Sequence, residues 1–281
     1  MNKIIVSVII PCFNHGKFID DAVNSVLNQT CQDFEIIIIN DGSTDDFTVS
    51  KLMYFDKPKT RVIHTANRGL AAARNEGIKA SSGRYLQFLD ADDVISEDKF
   101  TIQIRQLEKG SKYSLSYSDY LPATETDLTI AVPGRYLNPR FYSEQYLKEL
   151  ISAWEKGLSI PVHCFLFSTA LFKENNIWFD ETLVNHEDWD CWMKIFSLHP
   201  EVYYTDQKLA TYRIHDNAMC ADRHAMKRGH LQALNKQRRM FKNNKTLYFL
   251  ILKKIIWVKY IQEIELNIGS IIRSLNKQTK S

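Results

Sequence analysis

The chain has 281 residues, 44% of them hydrophobic and 25% charged, which is the composition of a globular protein with a sizeable core and excludes a disordered or fibrous one. The net charge of +3 hides an asymmetry: residues 223–281 hold 14 Lys and Arg against two acids, so residues 1–222 hold 22 basic and 31 acidic side chains. No apolar run approaches the ~18 residues of a membrane span, no signal-peptide pattern opens the chain, and five cysteines (Cys12, Cys31, Cys164, Cys191, Cys220) without zinc spacing point to reduced thiols and a cytoplasmic location.

Residues 4–10 are an apolar run broken only by Ser7, as in a central parallel strand buried on both faces. Pro11 is expected to end its ladder. Residues 17–27 repeat apolar positions at helical spacing. A second strand, 34–39, runs into Asn40-Asp41-Gly42-Ser43-Thr44-Asp45, where Gly42 suits a turn and Ser43 or Thr44 can cap a helix. Residues 61–64 make a short third strand and Asn67-Arg68-Gly69 a turn. Residues 70–80 are an alanine-rich helix carrying Arg74 and Asn75. A fourth strand, 85–89, then stops abruptly at Asp90-Ala91-Asp92-Asp93. This alternation predicts an α/β fold with a parallel sheet.

Three strand ends carry polar residues: Phe13-Asn14, Asp41 and Asp90 to Asp93. They should meet in the crevice beyond the carboxyl edge of the sheet, where such folds bind ligands. Three carboxylates in four residues repel one another, and a cation relieves that. Oxygen ligands suit Mg²⁺ or Mn²⁺, which share their coordination with substrate phosphates. The other reading is a solvated acidic turn, with Ser96 starting the next helix.

A helix is expected over 96–107 and a strand over 113–117. Residues 120–142, with three prolines and little periodicity, read as a lid or binding loop. A helix over 144–156, an extended run 162–167 and a short helix to 175 follow. Asn185-His186-Glu187-Asp188 then leads an apolar helix to 198, with Asn185 as its candidate cap. Short strands are expected at 202–204 and 209–214, and helix throughout from about 221.

Five segments in this order, Val8-Ile9-Ile10-Pro11-Cys12-Phe13-Asn14, Asn40 to Asp45, Asn67-Arg68-Gly69-Leu70-Ala71-Ala72-Ala73-Arg74-Asn75, Asp90-Ala91-Asp92-Asp93 and Glu187-Asp188, resemble the family 2 inverting glycosyltransferases. The match covers roughly residues 4–215. It implies a GT-A-type Rossmann-like sheet flanked by helices, with 1–110 binding the nucleotide-sugar, 111–220 facing the acceptor, and 221–281 as a basic helical extension. It also implies a nucleotide-sugar donor, a UDP-sugar above all, with Mn²⁺ or Mg²⁺ at the DxD motif.

The resemblance carries roles onto single residues. Asp41 would read the nucleobase against a wall made by Pro11 and Phe13, the latter often tyrosine in the family; the alternative for Asp41 is a turn residue. Asn67 and Arg74 belong to the donor segment. Arg74 would meet phosphate, to which a guanidinium is suited, or pair with the acidic cluster. Asp90 would hold the ribose hydroxyls, beside an Ala91 small enough to let the backbone approach. Asp92 would hold the metal, and Asp93 would support the turn from behind or start the next helix. Glu187-Asp188 resembles the catalytic pair, with Asp188 as general base and Glu187 supporting it; acids are also favoured in any first helical turn. Trp189 and Trp192 suit a sugar face or the core. Tyr212-Arg213-Ile214-His215 resembles a further family segment, making His215 a metal ligand or a more distant partner of the diphosphate. His163 falls on the acceptor side without an assigned role.

The acceptor implied is a saccharide or lipid-linked glycan in surface polysaccharide biosynthesis. The basic, aromatic tail at 247–281 fits an anionic membrane at the inner face, a hairpin packed on the body, or a homodimer contact. No nucleic-acid motif accompanies the charge. A sugar nucleotidyltransferase would need a glycine-rich phosphate loop after the first strand, which Pro11-Cys12-Phe13-Asn14-His15-Gly16 is not. A silent sugar- or partner-binding module on the same scaffold is the remaining alternative.

Overall fold

The structure is a computed structural model describing residues 4–134, 136–215 and 222–261. Its first half alternates as the pattern predicts: β1 (Val6–Cys12), α1 (Ile19–Leu27), β2 (Phe34–Asp41), α2 (Asp46–Met53), β3 (Thr60–Thr65), α3 (Leu70–Ala80) and β4 (Tyr85–Phe88). There follow β5 (Val94–Ile95), α4 (Lys99–Leu107), β6 (Ser114–Thr124), α5 (Tyr146–Ser152), β7 (Phe165–Ser168), α6 (Thr169–Lys173), α7 (Glu187–Phe196), β8 (Glu201–Ile214), α8 (Arg223–Met240) and α9 (Lys245–Ile256).

All eight strands join one sheet in the order β3-β2-β1-β4-β7-β6-β8-β5. The first four are mutually parallel, and β7 runs antiparallel between β4 and β6. The two halves implied for donor and acceptor therefore share one sheet. Alternate residues of β1 face different layers, as a period of two requires. Val6, Val8, Ile10 and Cys12 pack with Ile19 and Val23 of α1 and Phe100 of α4. Ile9 points the other way, towards α3 and the layer holding α7. At that crossing α3 lies so close that a Cβ on Gly77 would fall 2.2 Å from Ile9 Cγ2, so no larger residue fits.

Several boundaries differ from expectation for identifiable reasons. β1 continues through Pro11, which pairs with Ile39 of β2. Leu89 N–H donates to Ile9 O, so alternate residues turn their polar groups to β4, and Pro11 is the next of these, beyond the end of β4. Its missing donor therefore has no partner to lose. The cap of α2 is Asp45, which accepts from Thr48 N–H at 2.8 Å, rather than Ser43 or Thr44. Ser96 does not open α4; its N–H donates to Leu209 O, extending the link between β5 and β8.

The two short strands expected at 202–204 and 209–214 are one 14-residue strand, and its partner β6 runs on to Thr124 across register shifts at Ser118, Asp119 and Tyr120. A bulge hides a long strand from a strict alternation test. The loop expectation for 120–142 holds only beyond β6, where residues 125–145 contain no named helix or strand among the described residues.

The tail packs on the body. Leu247 and Ile251 of α9 are buried in the large core cluster, and Lys254 Nζ donates to Trp154 O at 2.7 Å. The packed-hairpin reading thus holds for 223–256, while residues 262–281 lie outside the described ones. No described helix is long and apolar enough to cross a membrane. Cys12, Cys31, Cys164 and Cys191 are free thiols; Cys220 lies outside the described residues.

Candidate functional site

The ends of β1, β2, β4 and β8 and the start of α7 converge. Asn14, in the left-handed region (φ 57°), ties the first two together: its Oδ1 accepts from Thr44 and Asp45 N–H, and its N–H donates to Ser43 Oγ. Pro11 is buried within β1, and Phe13 just beyond is 42% exposed, its ring available as a wall.

Asp41 is buried at the end of β2. Its Oδ1 accepts from Arg68 N–H at 3.0 Å and its Oδ2 from Gly69 N–H at 2.8 Å. The carboxylate thereby shapes the 67–69 turn, where Asn67 is exposed and Gly69 takes φ 90°, a conformation that favours glycine.

The centre of the site is Arg74. The run Ala71-Ala72-Ala73 packs α3 tightly and buries Arg74 with it. Its guanidinium donates to Asp90 Oδ1 at 2.8 Å and to Glu187 Oε1 at 2.7 Å, and lies over the Phe179 ring at 5.3 Å. Of the two expectations for Arg74, the structure displays the pairing with acids. One arginine thus joins the acidic turn after β4 to the acidic pair at the start of α7. The neighbouring Asn75 holds the Phe179 backbone from both sides, accepting from its N–H and donating to its O, both at 2.9 Å.

Asp90, Ala91 and Asp92 line the turn after β4. Ala91 is buried and Asp90 partly open. Asp92 Oδ2 lies 2.8 Å from His215 Nε2 and 3.9 Å from His15 Nδ1. This carboxylate–imidazole set can hold a divalent ion, and Asp92 is open enough, at 17%, for other ligands to complete the shell. His15 was not foreseen, although it sits on the same strand end. Asp93 does not start a helix. It is buried against His163 Nδ1 at 3.0 Å and accepts from Arg213 N–H at 2.8 Å. Burial pushes Asp93 up to about 6 despite the pull of His163.

Arg213, quoted in the sequence only as part of a segment, clamps this turn. Its side chain donates to Asp92 O at 2.6 Å, to Glu125 O at 2.8 Å and to Asp21 Oδ2 at 2.7 Å. Its distant partners come from three separate stretches, which explains why local pattern could not reveal the role.

Glu187 and Asp188 open α7. The cap is His186 in the left-handed region (φ 59°), not Asn185, whose amide instead donates to Ala225 O. Burial pushes Glu187 up to about 7 against the pull of Arg74. Asp188 is also raised by burial, opposed first by His186. One Asp188 oxygen accepts its neighbour Trp189 N–H at 2.6 Å; no other hydrogen bond reaches its side chain from the described residues. Trp189 and Trp192 are fully buried, so they are core residues rather than sugar platforms.

The family described as glycosyl transferase family 2 matches residues 7–174. An uncharacterised glycosyltransferase of Rickettsia bellii (strain RML369-C) is 36% identical over 197 residues, 68% of this chain and 26% of that protein. Chondroitin synthase of Escherichia coli is 28% identical over 197 residues, 70% of this chain and 27% of the synthase. The chain therefore spans only about a quarter of either relative. Among solved structures, S. aureus TarS 1–349 in complex with UDP-GlcNAc superposes with a TM-score of 0.62 at 18% identity, covering 90% of this chain and 81% of that one. The mannosyltransferase PcManGT from Pyrobaculum calidifontis, with GDP-Man and Mn²⁺, gives 0.62 at 16% identity, covering 98% and 80%.

Proposed function

Because the chain belongs to glycosyltransferase family 2 and has its GT-A-type fold, we propose that it transfers a sugar from a nucleotide-sugar to a hydroxyl of a saccharide or lipid-linked glycan, with inversion, in polysaccharide synthesis. The observation that carries the reading is the meeting of Asp90, Glu187 and Arg74 beside Asp92 and His215 at one edge of the sheet.

In this reading the donor lies across the ends of β1, β2 and β4. Phe13 and Pro11 wall the base, Asp41 meets it or holds the 67–69 turn against it, and Asp90 accepts from the ribose hydroxyls. Arg74 acts on the donor through Asp90, whose orientation it sets. Asp92 and His215 would hold Mn²⁺ or Mg²⁺; such an ion, when bound, neutralises charge on the departing diphosphate. Asp188 takes the proton from the acceptor hydroxyl as that oxygen attacks the anomeric carbon. Its second oxygen is the one left open for this. Glu187 stays on Arg74 and fixes the helix start. A UDP-sugar is the proposed donor, in keeping with the UDP-GlcNAc held by TarS; the GDP-Man of PcManGT keeps a guanosine donor as the main rival.

The test is donor hydrolysis across UDP-, GDP- and dTDP-sugars with and without Mn²⁺. Hydrolysis of one nucleotide class, dependent on the metal, is expected. No turnover of any donor, with sugar binding intact, would favour a silent binding module.

We also propose contact with an anionic membrane through α9 and the turn after it. Phe249, Ile256 and Tyr260 are exposed there among Lys245, Lys253 and Lys259. The double variant F249S/I256S should lose co-sedimentation with anionic vesicles while keeping its fold, since both side chains point outward. Unchanged sedimentation would remove the membrane from the scheme.

A further inference from the structure

Behind the acid pair lies a second cluster of potential ligands. Glu155 follows α5, His186 caps α7 and His230 lies on α8, and their ligand atoms all lie within 4.8 Å of one another. His186 Nε2 is 2.9 Å from Glu155 Oε1, and His230 Nδ1 is 3.2 Å from Glu155 Oε2. The two rings stack, with centroids 4.6 Å apart at 10°. Both Glu155 (φ 62°) and His186 (φ 59°) occupy the left-handed region, which is strained for a non-glycine residue and persists only where the surroundings hold it.

The protons at this cluster do not balance without a positive charge. Asn185 Nδ2 donates to Ala225 O, so its Oδ1 is the acceptor that faces His186 Nδ1 at 2.7 Å. His186 Nδ1 therefore carries the proton, and in the neutral ring Nε2 turns a bare lone pair to the Glu155 carboxylate. His230 is fully buried, and neither of its ring nitrogens makes a hydrogen bond. Two imidazoles and a carboxylate whose ligand atoms cluster in this way are a zinc donor set. A ligating histidine whose other nitrogen is held by an acceptor is the usual outer-shell arrangement.

We propose that Glu155, His186 and His230 bind one Zn²⁺. Imidazole pairs favour zinc over magnesium or manganese. Glu155 is 28% exposed, which gives the ion a path in and leaves solvent to complete its coordination. The site would pin the segment after α5 and helix α8 to the residue directly preceding Glu187-Asp188. It would thereby position the acid pair without touching substrate. Gly229 permits this packing, because a Cβ there would fall 1.6 Å from Asn185 Oδ1.

The test uses the full chain, stripped with chelator and titrated with Zn²⁺ against a chromophoric competitor. One tight equivalent is expected, with a rise in Tm on zinc addition. Glu155→Gln and His230→Asn should each weaken it by about tenfold or more and abolish the Tm rise. Glu155→Gln is the safer variant, since its side chain is not fully buried, and circular dichroism reports whether each variant keeps its fold. Asp92→Asn should leave the equivalent in place. The proposal is overturned if no equivalent binds, or if it disappears in Asp92→Asn and survives in Glu155→Gln.

Discussion

Replacing Arg74 by methionine is expected to lower folding stability by about 3–5 kcal/mol, the usual cost of removing one partner of a buried ion pair. Glu187 carries most of that effect, because it is buried and its guanidinium partner would be gone. Asp90 is 29% exposed and adds less, since water can take over its contact. Urea unfolding measures the loss. The double variant R74M/E187Q should be less destabilised than the sum of its parts, because the carboxamide removes the stranded charge. A loss below about 1 kcal/mol in R74M would mean that the ion pair contributes little to the fold.

Asp188→Asn is expected to reduce kcat by about 10²–10⁴, the range for removing a general base, while leaving UDP binding intact. A carboxamide keeps the shape and the contact with Trp189 N–H but cannot take a proton. In the unaltered protein the base must be ionised. Burial raises its pKa, so activity is present above the raised value and is lost as pH falls through it. That acid limb should lie above the ordinary carboxylate value of about 4. Loss of UDP binding in Asp188→Asn would sink the assignment and move the residue to the donor side.

Legibility in the sequence followed the range of each interaction. The bounds expected for α3 match the structure residue for residue, because alanine content and the closing Ser81-Ser82-Gly83 are local signals. The strand-end acids were also visible, since each follows its strand directly. Asp45 was missed as a cap because Ser43 and Thr44 are equally good by type, and only the chain path chooses among them. The single length of β8 was hidden by its bulged pairing with β6. Arg74 reaches 113 residues along the chain to Glu187, and Arg213 reaches 192 back to Asp21. Neither bond leaves any trace in spacing. His186 showed no sign of a left-handed cap, because its contacts with Glu155 and His230 come from distant parts of the chain.

The bridge made by Arg74 bears on how such a chain can be recombined. A chimaera joined near residue 110 would take the turn carrying Asp90 from one parent and the helix carrying Glu187 from the other. The same cut separates β4 from β7, which are hydrogen-bonded neighbours in the sheet. Exchange of acceptor preference between relatives is therefore better sought in residues 126–140, which hold no named helix or strand among the described residues and lie between Glu125, held by Arg213, and the buried Phe141. The unit of inheritance here is the whole sheet with its charge bridge, and the loop is the replaceable part.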